Sequence, residues 1–359
     1  MAVPPDTRAD WLLYGATGYT GRLTVAAAVA DGLKPILAGR NESAVKALAE
    51  EYGLPWRAFE LGDAAATQAG LSGCRAVLHC AGPFSATSQP MISACLEEGV
   101  HYLDITGEIP VFANAHRQSE EASHRDVLLI PGVGFDVVPS DCLAARLVQK
   151  LPAATHLTLA FDAGGGPSPG TAKTAAEGMT KGGCVRRDGK LRRVPPGWKS
   201  RTVPFASGAR NAATIPWGDV YTAFVSTGVP NIEVYMAMPP ARVAQLRRMR
   251  YLAPLLGLGP VQAWMKRRIE KNVKGPSDEK RASTRSQLWG EAVSADGRRV
   301  CATMTAPNGY ELTVISSLAI TRHVLENDIE GGYYTPSLLM GSEFAETLPG
   351  VSMQFVDCA

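Results

Sequence analysis

The stretch LLYGATGYTGR, residues 12–22, is an apolar run that stops at Gly15 and meets two more glycines, Gly18 and Gly21, at three-residue intervals. Strand-like residues give way there to helix-like ones. Backbone N–H groups at the start of a helix lack intrahelical partners, and the helix dipole is positive at that end, so such a turn suits an anion. Glycines let the turn tighten and let a pyrophosphate approach without a Cβ in the way. The GxxGxxG spacing differs by one residue from the dinucleotide-binding fingerprint GxGxxG, although Gly18 and Gly21 keep its final GxxG. Alone the triplet is a weak signal, and its weight depends on the pattern of the next hundred residues.

Residues 11–131 alternate regularly. Apolar strand candidates occur at 11–15, 34–39, 55–61, 75–80, 100–105 and 127–131. Helical patterns lie between them at about 19–31, 42–52, 64–70, 88–98 and 110–124. This rhythm predicts an α/β fold with an N-terminal Rossmann domain, a doubly wound parallel sheet whose ligand crevice lies at the carboxyl ends of the strands. The first turn then predicts a dinucleotide held by Gly15, Thr17, Gly18, Tyr19, Thr20 and Gly21. The second strand ends ILAGRN. Where an NAD-binding domain usually places Asp or Glu to hold the ribose, this chain has Arg40 and then Asn41. A guanidinium there pairs with a 2′-phosphate, so NADP(H) is the predicted cofactor. Glu42 reads as the first residue of the next helix. Asp63 either touches the adenine or caps a helix. Ala81, Gly82 and Pro83, in CAGPFSATSQP (80–90), are expected beneath the pyrophosphate and nicotinamide riboside, or form an ordinary βα turn.

A length of 359 residues implies about two domains. After PGVGFDVVPSD (131–141) the pattern changes to a helix at 140–150, a strand at 155–162, a helix at 171–179, and strands at 231–237, 286–294, 299–306 and 310–319. The reading is a Rossmann NADP-binding domain over 1–145 and a second α/β domain over 146–325, built on a mixed or antiparallel sheet. A helical insertion falls near 240–272, and a C-terminal segment, 326–359, packs back toward the first domain. The net charge of +2 gives no global reason to expect nucleic acid or a membrane. The first ten residues lack the pattern of a secretory signal, and 251–265 is too short and broken to span a bilayer. Seven scattered cysteines without a CxxC pair predict no disulfide framework and favour a cytoplasmic setting. The histidines show no ligand spacing, so no metal site is predicted.

GATGYTG, AGR, CAGPF, YLDITGE (102–108) and PGVGFDVVPSD, in this order, resemble the saccharopine dehydrogenase-like oxidoreductases, and within them the bacterial branch of trans-acting enoyl reductases. The resemblance covers roughly residues 11–145 and resumes weakly at GTAKT (170–174) and GGYYTP (331–336). It implies a Rossmann domain, a substrate domain inserted before the final helices and an NADP(H)-dependent redox step. It also implies that Gly15, Gly18, Gly21 and Arg40 hold the cofactor and that Ala81–Pro83 lie beside the nicotinamide. No residues in 150–330 match the amino-acid-binding groups of the lysine-pathway enzymes, so the resemblance carries no substrate.

Hydride transfer requires the protein to orient the nicotinamide, exclude water and supply a proton to an imine, enoyl or carbonyl substrate, either small or lipid-like. The donor candidates are Tyr102, Asp104 and Asp136. Tyr102 and Asp104 share one face of a strand, where they serve as an anchor or as part of the site. Asp136 is a donor or a hinge anchor, and Asp141 reads as a helix-start residue. In GGGPSPGTAKT (164–174) a GxSxG elbow fails because Pro169 lacks the required N–H, and a P-loop fails because Thr171 occupies the lysine position. Thr171 and Lys173 face the anionic end of a substrate or belong to a capped helix start. Two basic segments, 181–201 and 266–274, are solvated surfaces or docking sites for anionic lipid or an acyl carrier. The late apolar strand 310–319 suggests a sheet face covered by a symmetric homodimer. The alternative function is a catalytically silent NADP-binding scaffold or redox sensor.

Overall fold

The computed structural model describes residues 11–178, 182–249, 251 and 258–358. The N-terminal ten residues, Lys181, and residues 252–257 of the expected helical insertion lie outside the described residues. The strands are β1 (Trp11–Tyr14), β2 (Ile36–Gly39), β3 (Trp56–Ala58), β4 (Ala76–His79), β5 (His101–Asp104), β6 (Leu128–Ile130), β7 (Ala154–Asp162) and β8 (Gly183–Arg187). They continue with β9 (Lys190–Val194), β10 (Ser200–Phe205), β11 (Gly208–Thr214), β12 (Asn231–Ala237), β13 (Arg285–Ser294), β14 (Arg299–Pro307), β15 (Gly332–Tyr333) and β16 (Ser352–Val356).

The chain divides into two compact units. The first takes the chain up to Ile105, Asn114–Pro131 and Ser317–Tyr334. The second takes Thr106–Ala113, Gly132–Ser316 and the chain from Thr335 onward. A single cut near residue 145 therefore misses the interleaving. Thr106–Ala113 leaves the first unit before Asn114–Pro131 returns to it, and after Gly132 it is Ser317–Tyr334 that returns. The return is fixed by backbone bonding, because β15 adds to the edge of the first sheet beside β6 in parallel register.

The first sheet has the order β15-β6-β5-β4-β1-β2-β3 with every pairing parallel. Strands β1, β2 and β4 are buried along their whole length, as uninterrupted apolar runs require of a sheet with helices on both faces. The order reverses direction between β1 and β4, so the mouth of β1 is a topological switch point.

The second unit is built on a nine-stranded mixed sheet with the path β10-β11-β12-β7-β13-β14-β16, the β8–β9 hairpin joining through β12. Only β7 and β12 run parallel. On one face the helix Val138–Lys150 lies so close to β13 that a Cβ at Gly290 would meet Leu147 at 2.6 Å. The alternate residues of β13 point the other way, where Trp289 joins Val203, Phe205, Tyr235 and Cys301 in a buried cluster.

Two expectations are corrected in this region. The strand expected at 310–319 is part of a helix, Gly309–Glu326. Asn308 starts it by accepting the Tyr310 N–H at 3.0 Å, and the helix is buried nearly all round, which hides its period among β-branched residues. The homodimer expectation loses the sheet face it leaned on. Cys301 and Cys358 form a disulfide that fastens the chain after β16 to β14, a single crosslink where the sequence predicts no disulfide framework. Their 57-residue separation places the pair beyond any local sequence spacing.

Candidate functional site

The turn after β1 is shaped by contacts that exclude side chains. Gly15 has φ +83°, a left-handed conformation, and a Cβ there would meet the Ala81 nitrogen at 2.8 Å. Its N–H donates to the Ala38 carbonyl at 2.8 Å, tying the mouths of β1 and β2 together. A Cβ at Gly21 would collide with the Gly15 carbonyl oxygen. Gly18 caps the helix Tyr19–Ala30 with extended backbone and no side-chain hydrogen bond, and no acidic residue stands in the first turn. The cradle is therefore bare backbone at a positive helix end, which fits a pyrophosphate.

Arg40 lies just past β2, is exposed and forms no ion pair among the described residues. Its charge partly offsets the burial that pushes the nearby Tyr14 hydroxyl up to about 12. Asn41 accepts the Ala44 N–H at 3.1 Å and Asp63 accepts the Ala66 N–H at 3.0 Å, so both side chains cap helices.

At the ends of β4 and β5 the polar side chains are buried, and all but His79 Nδ1 find hydrogen-bond partners among the described residues. Tyr102 donates to Asp104 Oδ2 at 2.6 Å, and neither residue is exposed. The structure engages these two donor candidates with each other. Sequence reading missed His79, the last residue of β4. Its Nε2 lies 3.0 Å from the Thr87 hydroxyl, which reaches the Ala81 carbonyl at 2.8 Å and the Pro83 carbonyl at 3.1 Å. Burial lowers the His79 ring to about 3, so it is neutral. The hydroxyl proton goes to a carbonyl, so Nε2 carries the hydrogen and supports the Ala81–Gly82–Pro83 loop from below. A histidine inside an apolar strand, eight residues before a threonine on the next helix, is the only sequence sign of this support.

In the second unit, three aspartates gather from Asp136, Asp141 and Asp219. Asp141 is satisfied, accepting from the Ser226 hydroxyl at 2.6 Å and the Ser337 N–H at 2.8 Å. It ties three helices together and does not simply start one. Asp219 is fully buried, and neither carboxyl oxygen makes a well-formed hydrogen bond among the described residues. Burial pushes it well above the usual carboxylate range. The nearby Ser140 hydroxyl offsets part of this, and Asp141 and Asp136 add to it. Asp136 is half-buried and its carboxyl makes no hydrogen bond among the described residues. A Cβ at Gly107 would meet Asp136 Oδ2 at 2.7 Å, so the carboxyl rests against bare backbone. The Trp217 indole donates to the Asp136 carbonyl at 2.8 Å and fixes the residue's position. Burial, and then the charge of Glu108, raise Asp136 to about 7. A carboxyl poised there can hold a proton at neutral pH and release it.

Residues 11–127 match the family model described as the saccharopine dehydrogenase NADP binding domain. The trans-acting enoyl reductase of Mycobacterium tuberculosis is 30% identical over 159 residues, covering 41% of this chain and 37% of the relative. The trans-acting enoyl reductase of Mycobacterium leprae is 33% identical over 160 residues, with the same coverage. The chain thus spans under two fifths of the length of these relatives. The apo saccharopine dehydrogenase (L-Glu forming) of Saccharomyces cerevisiae superposes with a TM-score of 0.66 over 98% of this chain and 100% of that one, at 11% identity. That likeness shows the fold: a Rossmann unit with a second unit on a mixed sheet.

The first unit is therefore an NADP-binding domain of the saccharopine dehydrogenase type, and its glycine cradle and exposed Arg40 fit that cofactor. The expected substrate contacts fare differently. Lys173 is bound to Glu270 at 2.5 Å, while Thr171 shares hydrogen bonds with Ser168 and Tyr310 at the start of the helix Pro169–Gly178. Much of the basic segment 181–201 is also occupied. Arg186 is buried against Phe224 and donates to the Val220 and Gly189 carbonyls. Lys199 and Arg187 turn to Glu233, and Arg201 to Glu291. Arg186, Arg187, Lys199, Arg201 and Glu233 border a cavity of about 460 Å³, with Asp188 the other acid on its wall.

Proposed function

We propose that the protein is an NADP(H)-dependent oxidoreductase that reduces an imine, enoyl or carbonyl group of a small or acyl substrate. The observation that carries the reading is Asp136: half-buried, without a hydrogen-bond partner among the described residues, and raised to about 7. NADPH supplies the hydride when bound. The glycine turn holds the pyrophosphate, Arg40 reads the 2′-phosphate, and the Ala81–Pro83 loop, braced by Thr87 and His79, shapes the nicotinamide end. Asp136 delivers the proton that balances the hydride, to oxygen, to nitrogen or to the carbon beside an activating carbonyl. Tyr102 and Asp104 anchor the end of β5.

The enoyl arm draws support from the names of the trans-acting enoyl reductases, which this chain matches over part of its length. NADPH consumption across imines, enoyl thioesters and ketones tests the proposal. Turnover of one class supports it and names the substrate. Tight NADPH binding with no turnover in any class points instead to a silent NADP-binding scaffold.

A further inference from the structure

In the first basic region Arg187, Lys199 and Arg201 pair with Glu233 and Glu291, whereas Arg267, Arg268 and Lys271 of the second form no ion pair among the described residues. The described residues of 240–274 hold eight Lys and Arg side chains against one acid, Glu270, in a chain whose net charge is +2. The helix Gly259–Asn272 has no fully buried residue. One side, carrying Val261, Gln262, Met265 and Ile269, is half-buried. From this helix Gln262 donates to the Ala176 carbonyl at 3.4 Å and Glu270 binds Lys173 at 2.5 Å. The opposite stripe is Trp264, Arg267, Arg268 and Lys271, at the i, i+3, i+4, i+7 spacing of one helix face, and all four are exposed. Arg268 lies over the Trp264 ring at 5.3 Å, and Trp264 is 56% exposed. Leu258, just before the helix, is 51% exposed, and Tyr251 is 70% exposed. Among the described residues, three of the seven exposed large apolar side chains thus fall within fourteen positions, beside an excess of positive charge.

We infer that this region docks the protein on the surface of an anionic phospholipid bilayer. Charge alone suits any acidic partner. The bilayer is favoured by the exposed tryptophan, tyrosine and leucine, because amphipathic aromatic rings settle at headgroup level and apolar side chains reach the acyl boundary. The flanking Lys and Arg side chains add the attraction of an anionic surface, each roughly 1 kcal/mol or about fivefold in partitioning. Among the described residues no helix is long and apolar enough to cross a membrane, so the contact is peripheral.

The test is co-sedimentation of the full chain with phosphatidylglycerol–phosphatidylcholine vesicles and with phosphatidylcholine vesicles, at low and physiological salt. The expected result is binding to the anionic vesicles only, weakened by salt. Arg267→Glu with Arg268→Glu lowers partitioning at least tenfold, and Trp264→Ala lowers it several-fold. All variants keep wild-type NADPH affinity, which reports an intact fold independently of any turnover. Absence of binding to anionic vesicles, or equal binding by the charge-reversed variant, overturns the inference. Binding to an acidic acyl carrier protein without binding to vesicles overturns it in favour of a protein partner.

Discussion

The two units handle their polar groups in opposite ways. In the first, the functional surface is backbone with side chains removed, and beneath it Tyr102 pairs with Asp104 and His79 Nε2 with Thr87, leaving the neutral ring's Nδ1 without a hydrogen-bond partner among the described residues. In the second, Asp219 lies buried with neither oxygen in a well-formed hydrogen bond and Asp136 stands half-buried without a hydrogen bond among the described residues. Leaving a buried carboxyl unpaired is costly, and folded proteins concentrate such costs where a group must change its protonation state. On the proposed function, the first unit holds a fixed anion and the second keeps a proton available.

Changing the cradle tests the first half of this contrast and carries the largest expected effect. Gly21→Ala puts a methyl group into the Gly15 carbonyl. NADPH affinity should fall by two orders of magnitude or more while the second unit's fold persists, read by cofactor titration and circular dichroism. Wild-type affinity in this variant would mean that the turn does not hold the pyrophosphate.

A smaller and more selective effect is expected at Arg40. Arg40→Ala should weaken NADPH binding by about 1.5–3 kcal/mol, the range for a charge-assisted hydrogen bond, and leave NADH nearly unchanged. Titration of both cofactors separates this from general damage, since an equal loss for NADH would assign the arginine a structural role.

A separate test, of stability and not of cofactor binding, concerns the edge of the second sheet. Thiol titration of denatured protein should find five reactive cysteines before reduction and seven after it, because Cys301 and Cys358 are joined. Cys358→Ser should lower stability by up to about 2–4 kcal/mol, less if the open chain retains structure. Seven thiols before reduction would remove the crosslink from the account.

Legibility in the sequence tracked the range of the interactions. Gly15, Gly18, Gly21 and Arg40 could be read because one strand, one turn and one helix set the geometry within about 30 residues. Six of the seven strands of the first sheet were visible because buried parallel strands are continuous apolar runs, while the two-residue β15 is too short to show one. Asp219 could not be singled out. It lies 83 positions beyond Asp136, and only the packing of its helix against Val138–Lys150 brings it near Asp141 and Asp136. The helix Gly309–Glu326 was mistaken for a strand because burial on nearly every side removes the polar face that marks a helical period. The basic segment 181–201 looked available for a partner because sequence shows its cations and not Glu233 or Glu291, which arrive from β12 and β13.

The central claim, that Asp136 supplies the proton, is tested most directly by the pH dependence of NADPH-linked reduction for the wild type and Asp136→Asn at saturating cofactor. Burial raises the folded-state carboxyl to about 7, so Asp136 carries its proton below that pH and loses it above. Wild-type turnover should therefore be high in mild acid and fall as pH rises through about 7. Asp136→Asn should lower kcat by about 10²–10⁴-fold, the usual contribution of a positioned acid, abolish the limb near pH 7 and leave NADPH affinity unchanged. An asparagine variant that retains both the rate and the limb would contradict the account.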